Sequence, residues 1–215
     1  MMMCHNAADF PQGRAWIELD RSALLHNVRV LRTLLPKGCE LMPAVKANAY
    51  GHGAALVAGE LQRAGIGSFC VASAAEAVEL RKAGITGEIL ILGYTHPRQF
   101  SLLRHFHLTQ TVLDHDYAEL LNRSGRKIDV HIKIDTGMHR LGERCEHIDH
   151  LKKIFSCENL RITGAYTHLC TSDKSSPREE AFVSVQTQAF YEAIAKLREQ
   201  GCVCPKVHVL ASYGL

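Results

Sequence analysis

At 215 residues, 47% hydrophobic and 22% charged, the chain has the make-up of a globular protein with ample core, which excludes intrinsic disorder. A net charge of +3 with interspersed signs leaves no basic footprint for nucleic acid or membrane surfaces. No apolar run approaches the roughly 18 residues of a membrane span, and no signal peptide opens the sequence, so a cytoplasmic setting is expected. Eight scattered cysteines without a Cys-x-x-Cys pair fit reduced thiols there.

Residues 1–13, opening on Met1, Met2 and Met3, read as a start region or linker ahead of one domain, residues 14–215. Over 14–20, Ala15, Ile17 and Leu19 alternate with Trp16, Glu18 and Asp20, which predicts a half-buried strand. Asp20 caps a helix whose Leu24, Val28, Leu31, Leu34 and Leu35 keep helical spacing until Pro36. Apolar residues 41–45 form a strand that delivers Lys46, and the chain turns through Tyr50, Gly51 and Gly53. A helix over 54–64 is closed by Gly65, and 68–72 is a strand. Ser73-Ala74-Ala75-Glu76 is a capping box that opens a helix ended by Gly84. The rhythm continues with strands at 88–92, 108–113, 128–134, 160–167 and 206–211. Helices at 96–106, 116–125, 147–155 and 178–200 separate them.

From residue 41 onward this makes seven strands, each but the last followed by a helix. Short strands alternating with helices pair in parallel, and seven is one short of an eight-stranded barrel. The expected class is α/β: a (β/α)8 TIM-type barrel, truncated before its last strand, with the sequence stopping at Ser212-Tyr213-Gly214-Leu215. A doubly wound sheet is the competitor, but Lys46-Ala47-Asn48-Ala49-Tyr50-Gly51 is not the Gly-x-Gly-x-x-Gly loop such a sheet carries.

In a barrel the strand C-terminal ends converge on one face, and the polar residues gather at such ends. Lys46 and Tyr50 follow the first strand; Asp135, Met138 and Arg140 follow the fifth; His168 follows the sixth and Ser212 the seventh. An amine, a guanidinium, a ring donor and a hydroxyl at one mouth suit an aldehyde cofactor bearing a phosphate. Among thirteen histidines, His105-x-His107 and His147-x-x-His150 show no carboxylate or thiolate at ligand spacing, so no metal is expected.

Three stretches resemble the signatures of the alanine racemase family, fold type III pyridoxal-phosphate enzymes. Ala44-Val45-Lys46-Ala47-Asn48-Ala49-Tyr50-Gly51-His52-Gly53 is similar to the cofactor attachment motif, and Lys133-Ile134-Asp135-Thr136-Gly137-Met138-His139-Arg140-Leu141-Gly142 to the second signature. Tyr166-Thr167-His168-Leu169 resembles the third. The resemblance implies a barrel followed by a β-rich domain that these residues lack, and a homodimer acting on a small amino acid. It makes Lys46 the covalent anchor of pyridoxal 5′-phosphate and one of two acid/base groups, with Tyr50 and Ser212 on the phosphate and His168 against the pyridine ring. Arg140 would reach the cofactor oxygen and the substrate carboxylate, with Met138 beside the substrate. Lys133 corresponds to a lysine that is carbamylated in some members. The second base, a tyrosine, would come from later sequence.

Ala211-Ser212-Tyr213, where many members have Asn-Ser, is more like the racemase domain of vancomycin-resistance serine/alanine racemases, which carry a membrane domain ahead of a cytoplasmic one. The implied reaction is interconversion of L- and D-serine or alanine for peptidoglycan precursors. A pyridoxal-phosphate carrier barrel and a decarboxylase of the same fold are the alternatives.

Overall fold

The computed structural model describes residues 16–171 and 176–210. Seven parallel strands are β1 (Ser68–Val71), β2 (Glu88–Ile91), β3 (Thr109–Val112), β4 (Ile128–Asp135), β5 (Glu143–Arg144), β6 (Leu160–His168) and β7 (Lys206–Leu210). Their order is β1-β2-β3-β4-β6-β7, with the two-residue β5 beside the end of β4. Spatial neighbours follow chain order without a reversal, which is barrel winding; a doubly wound sheet would have a switch point. Helices α1 (Arg21–Leu34), α3 (Ala54–Arg63), α4 (Ala74–Lys82), α5 (Phe100–His105), α6 (His115–Asn122), α7 (Ile148–Phe155) and α8 (Pro177–Glu199) fill the connections. A single turn of the opposite hand, α2 (Lys46–Tyr50), stands apart from them. Among the described residues no helix is long and apolar enough to cross a membrane, and the cysteines are free.

Period-two alternation splits the apolar residues into two clusters, one on each face of the sheet. Phe69, Val71, Ile89, Ile91, Val130, Ile132 and Ile134 are fully buried in the larger cluster, on which α4 and α6 pack. Burial of each such side chain is worth about 1.5–3 kcal/mol. Cys70, Leu90 and Tyr166 make the smaller cluster on the inner face, flanked by Met42 and Leu92.

Curvature of the sheet is visible in one bond. Lys206 Nζ, at the start of β7, donates to Glu88 Oε2, at the start of β2, at 2.6 Å. In a flat sheet four strand spacings would hold these residues about 19 Å apart. The same inner floor carries His131, whose Nδ1 lies 2.8 Å from His208 Nε2. His131 Nε2 is 3.2 Å from Glu88 Oε1 but too poorly aimed to bond it. Gly164 makes room, since a Cβ there would stand 2.7 Å from the His131 ring. Burial alone would raise the Glu88 carboxyl, but His131 and Lys206 outweigh it and hold it down to about 2. His208 is driven down to about 3, by burial first and by His131 second.

Both shifts act in one direction on acidification. Unfolded, each group takes up protons at a higher pH than when folded, so stability is full near neutrality and falls as pH drops. His208 loses its part between its ordinary 6.5 and about 3, and Glu88 between 4.5 and about 2. Melting temperature against pH should therefore fall in two overlapping limbs. Glu88→Gln is expected to remove the lower limb and His208→Gln the upper.

Two predicted strands differ. Residues 16–20 form no strand, and Trp16 and Ile17 are 53% and 65% exposed. Alternation names a face; it does not supply a partner. Residues 41–45 hold the first strand position only through Ala44, bridged to Cys70. Val45 N donates to Cys70 O and Cys70 N to Pro43 O, both at 2.9 Å, while Pro43 has no N–H to extend the ladder. The remaining strands and helices stand where their periodicity puts them, within a few residues. The start region 1–13 lies outside the described residues.

Candidate active site

Lys46 leaves the first strand position into a turn built against the usual backbone preference. Ala47, Asn48, Ala49 and Tyr50 all have φ between 50° and 54°. For L-residues the left-handed conformation costs roughly 1–2 kcal/mol each. Named bonds offset it. The Glu76 carboxylate accepts from Ala47 N at 2.8 Å and Ala72 N at 2.6 Å, clamping the turn to the β1–α4 connection. Asn48 Oδ1 accepts from Ala54 N at 2.8 Å and so caps α3. Gly51 and Gly53, at φ 93° and 89°, complete the reversal. Strain concentrated beside a single lysine is what a functional turn stores.

The second wall is the loop after β4, wound on Asp135. Its Oδ1 accepts from the N–H groups of Gly137, Met138 and His139 at 3.0–3.1 Å, and its Oδ2 lies 2.9 Å from His139 Nδ1. Burial pushes this carboxyl up, but the His139 and Gly137 bonds more than compensate and keep it below its ordinary value. Lys133, 4% exposed, donates from Nζ to Leu141 O at 2.6 Å. Its amine is lowered to about 8, by burial first and by the Arg140 charge, against an opposing pull from Asp135. Gly142 closes the loop at φ 113°, where a Cβ would meet Lys133 O at 2.9 Å.

His168 ends β6. Its carbonyl accepts from Gln186 Nε2 at 3.4 Å, and the same buried glutamine accepts from Cys170 N at 3.2 Å, so α8 holds this corner. Thr136 and Thr167 hydroxyls meet at 2.8 Å and tie the ends of β4 and β6 together.

Lys46, Tyr50, Lys133, Arg140 and His168 line one cleft of about 1670 Å³, whose floor is the Glu88–His131–Lys206–His208 group. Met138 is not in that lining; its backbone serves the Asp135 turn. Ser212 lies outside the described residues. The donor set suits a phosphorylated aldehyde: an amine to hold the aldehyde carbon, a phenol for the phosphate, an imidazole to face a ring and a guanidinium for an anionic oxygen.

Sequence reasoning missed two supports. Glu76 was legible only as a helix cap, yet its carboxylate bonds Ala72 N and Ala47 N. Gln186 gives no local signal; a polar residue amid the apolar stripe of α8 is the only hint. The carboxylate missing beside His147-x-x-His150 is Glu143, which the short β5 brings to both rings.

The family described as alanine racemase, N-terminal domain, matches residues 19–215. An amino-acid racemase of Enterococcus faecalis is 43% identical over 202 residues, 94% of this chain and 28% of that protein. A serine/alanine racemase of Enterococcus gallinarum is 37% identical over 95% of this chain and 29% of its own length. The solved alanine racemase of Bacillus anthracis with bound L-Ala-P superposes with a TM-score of 0.84 at 31% identity, covering 93% of this chain and 52% of that one. The chain thus spans between about a quarter and about half the length of these relatives.

Proposed function

The chain belongs to the family of alanine racemase N-terminal domains, and from that premise we propose that it is the cofactor-bearing barrel of a pyridoxal-phosphate-dependent racemase of L- and D-serine or alanine. The observation that carries this reading is the convergence of Lys46, Tyr50, Lys133, Arg140 and His168 on one cleft. When bound, pyridoxal phosphate supplies an electron sink for the charge that develops at the substrate α-carbon. Lys46 holds the cofactor and moves the α-proton on one face of the substrate. Tyr50, and Ser212 beyond the described residues, take the phosphate. His168 sets the plane of the ring, and Arg140 fixes the substrate carboxylate.

Lys133 positions Arg140. With its amine lowered to about 8 it has a neutral fraction near physiological pH, which attack on carbon dioxide requires. Loss of one proton then leaves a carbamate, an anion that pairs with a guanidinium.

Inversion needs a base on each face, since a proton removed and returned on one side restores the starting isomer. The second base is assigned to a tyrosine outside these residues, from the partner subunit of a cytoplasmic homodimer. The D-isomer would serve peptidoglycan precursors, and D-serine the vancomycin-resistance setting of similar racemases. The full-length protein, given L-alanine and L-serine with pyridoxal phosphate, should form the D-isomers without releasing carbon dioxide. The 215-residue chain alone should form none. Carbon dioxide release would instead favour a decarboxylase, and cofactor binding without either product a carrier.

A further inference from the structure

We propose that Glu143, His147 and His150, on the outer side of the loop that carries Arg140, form a binding site for one divalent transition-metal ion of the zinc type. Glu143 Oε1 lies 3.0 Å from His147 Nδ1 and 3.5 Å from His150 Nδ1. All three ligand atoms fall within 4.8 Å of one another. Zinc bonds of 2.0–2.2 Å in tetrahedral geometry set ligand atoms about 3.3 Å apart, so the side chains need little rearrangement.

The placement is built into the fold. β5 pairs with the end of β4 and fixes Glu143, whose side chain is 9% exposed. Its other oxygen accepts from His115 N at 3.3 Å, the outer-shell bond that orients a ligating carboxylate. His147 and His150 stand three residues apart at the start of α7, so their rings share one side of the helix. At 47% and 51% exposed, they leave the ion open to water. Two imidazoles and a carboxylate select zinc, nickel or copper over magnesium or calcium. Three protein ligands with an open position describe an accessible, exchangeable site.

The ion would act at a distance from the cleft, since none of the three residues lines it. Cys145 N, between Glu143 and His147, donates to Asp135 O at 3.0 Å. A metal joining β5 to α7 therefore braces the backbone on which the Asp135 loop is wound. This inference does not depend on the racemase reading.

Chelator-treated full chain is titrated with zinc by calorimetry and with cobalt by visible absorption. One ion per chain is expected, with cobalt bands of nitrogen and oxygen ligation and no thiolate charge transfer. The double variant His147→Ala/His150→Ala should lose this binding, and Glu143→Gln should weaken it at least about tenfold. His105→Ala/His107→Ala should leave it unchanged. Circular dichroism checks that the double variant folds; should it not, Glu143→Gln, which keeps shape and volume, carries the test alone. Zinc bound equally well by a folded double variant or by Glu143→Gln overturns the proposal, as does the lack of saturable binding to the unaltered chain.

Discussion

Lys46→Ala is expected to lower racemisation by the full-length protein at least about a thousandfold while leaving the melting temperature of the cofactor-free protein nearly unchanged. A positioned acid/base group is worth about 10²–10⁴ in rate, and Lys46 is assigned the cofactor anchor besides. The fold should tolerate the loss. Lys46 is half-buried at the edge of the cleft, and the bonds that hold its turn, Glu76 to Ala47 and Asn48 to Ala54, use none of its side-chain atoms. Its removal strands no buried partner and is expected to cost under about 1 kcal/mol. Lys37→Ala, at an exposed position past the end of α1, is the control and should change neither quantity. Initial rates by chiral chromatography and a thermal melt make the comparison. A rate within tenfold of the unaltered protein would remove Lys46 from the chemistry.

Gly142→Ala should be a severely damaging single-methyl change in the loop that carries Arg140. The added carbon would stand 2.9 Å from Lys133 O, 3.0 Å from Asp135 N and 3.1 Å from Lys133 Cγ. Two of these atoms are backbone of β4, which cannot move without disturbing its pairing with β6. A conformational penalty at φ 113° adds about 1–3 kcal/mol. The expected result is a loss of about 3 kcal/mol or more. Activity should fall with it, because the displaced segment carries Arg140 and the Leu141 carbonyl that holds Lys133. Gly38→Ala separates the two causes. It shares a positive φ, 89°, but a Cβ there meets nothing within 4 Å, so only the conformational part should remain. Equal melting temperatures for the two variants would show that the loop yields to the methyl.

Local patterns carried most of the fold. The alternation of short apolar runs with capped helices reads directly as strands joined by crossovers, because each element's burial pattern is periodic within itself. The cleft lysine was equally legible, since an apolar run that delivers Lys46 before small residues places an amine at the barrel mouth. Pairings between distant residues were not. Glu76 reaches Ala47 across 29 positions and Lys206 reaches Glu88 across 118, and neither has a periodic signature. The left-handed turn was hidden for a different reason. Ala47 and Ala49 have no intrinsic taste for positive φ, so only Asn48 and the two glycines hint at a conformation imposed from outside. The strand over 14–20 failed on the converse, a sound local pattern with no strand over 16–20.

One lysine of this chain, Lys46, is assigned as the anchor of pyridoxal phosphate. The 215-residue chain, incubated with pyridoxal phosphate, reduced with borohydride and digested, can be mapped by mass spectrometry. A single phosphopyridoxyl group on the peptide containing Lys46 is the expected result. A group on Lys133 or Lys206 instead, or one spread over the surface lysines, would contradict it.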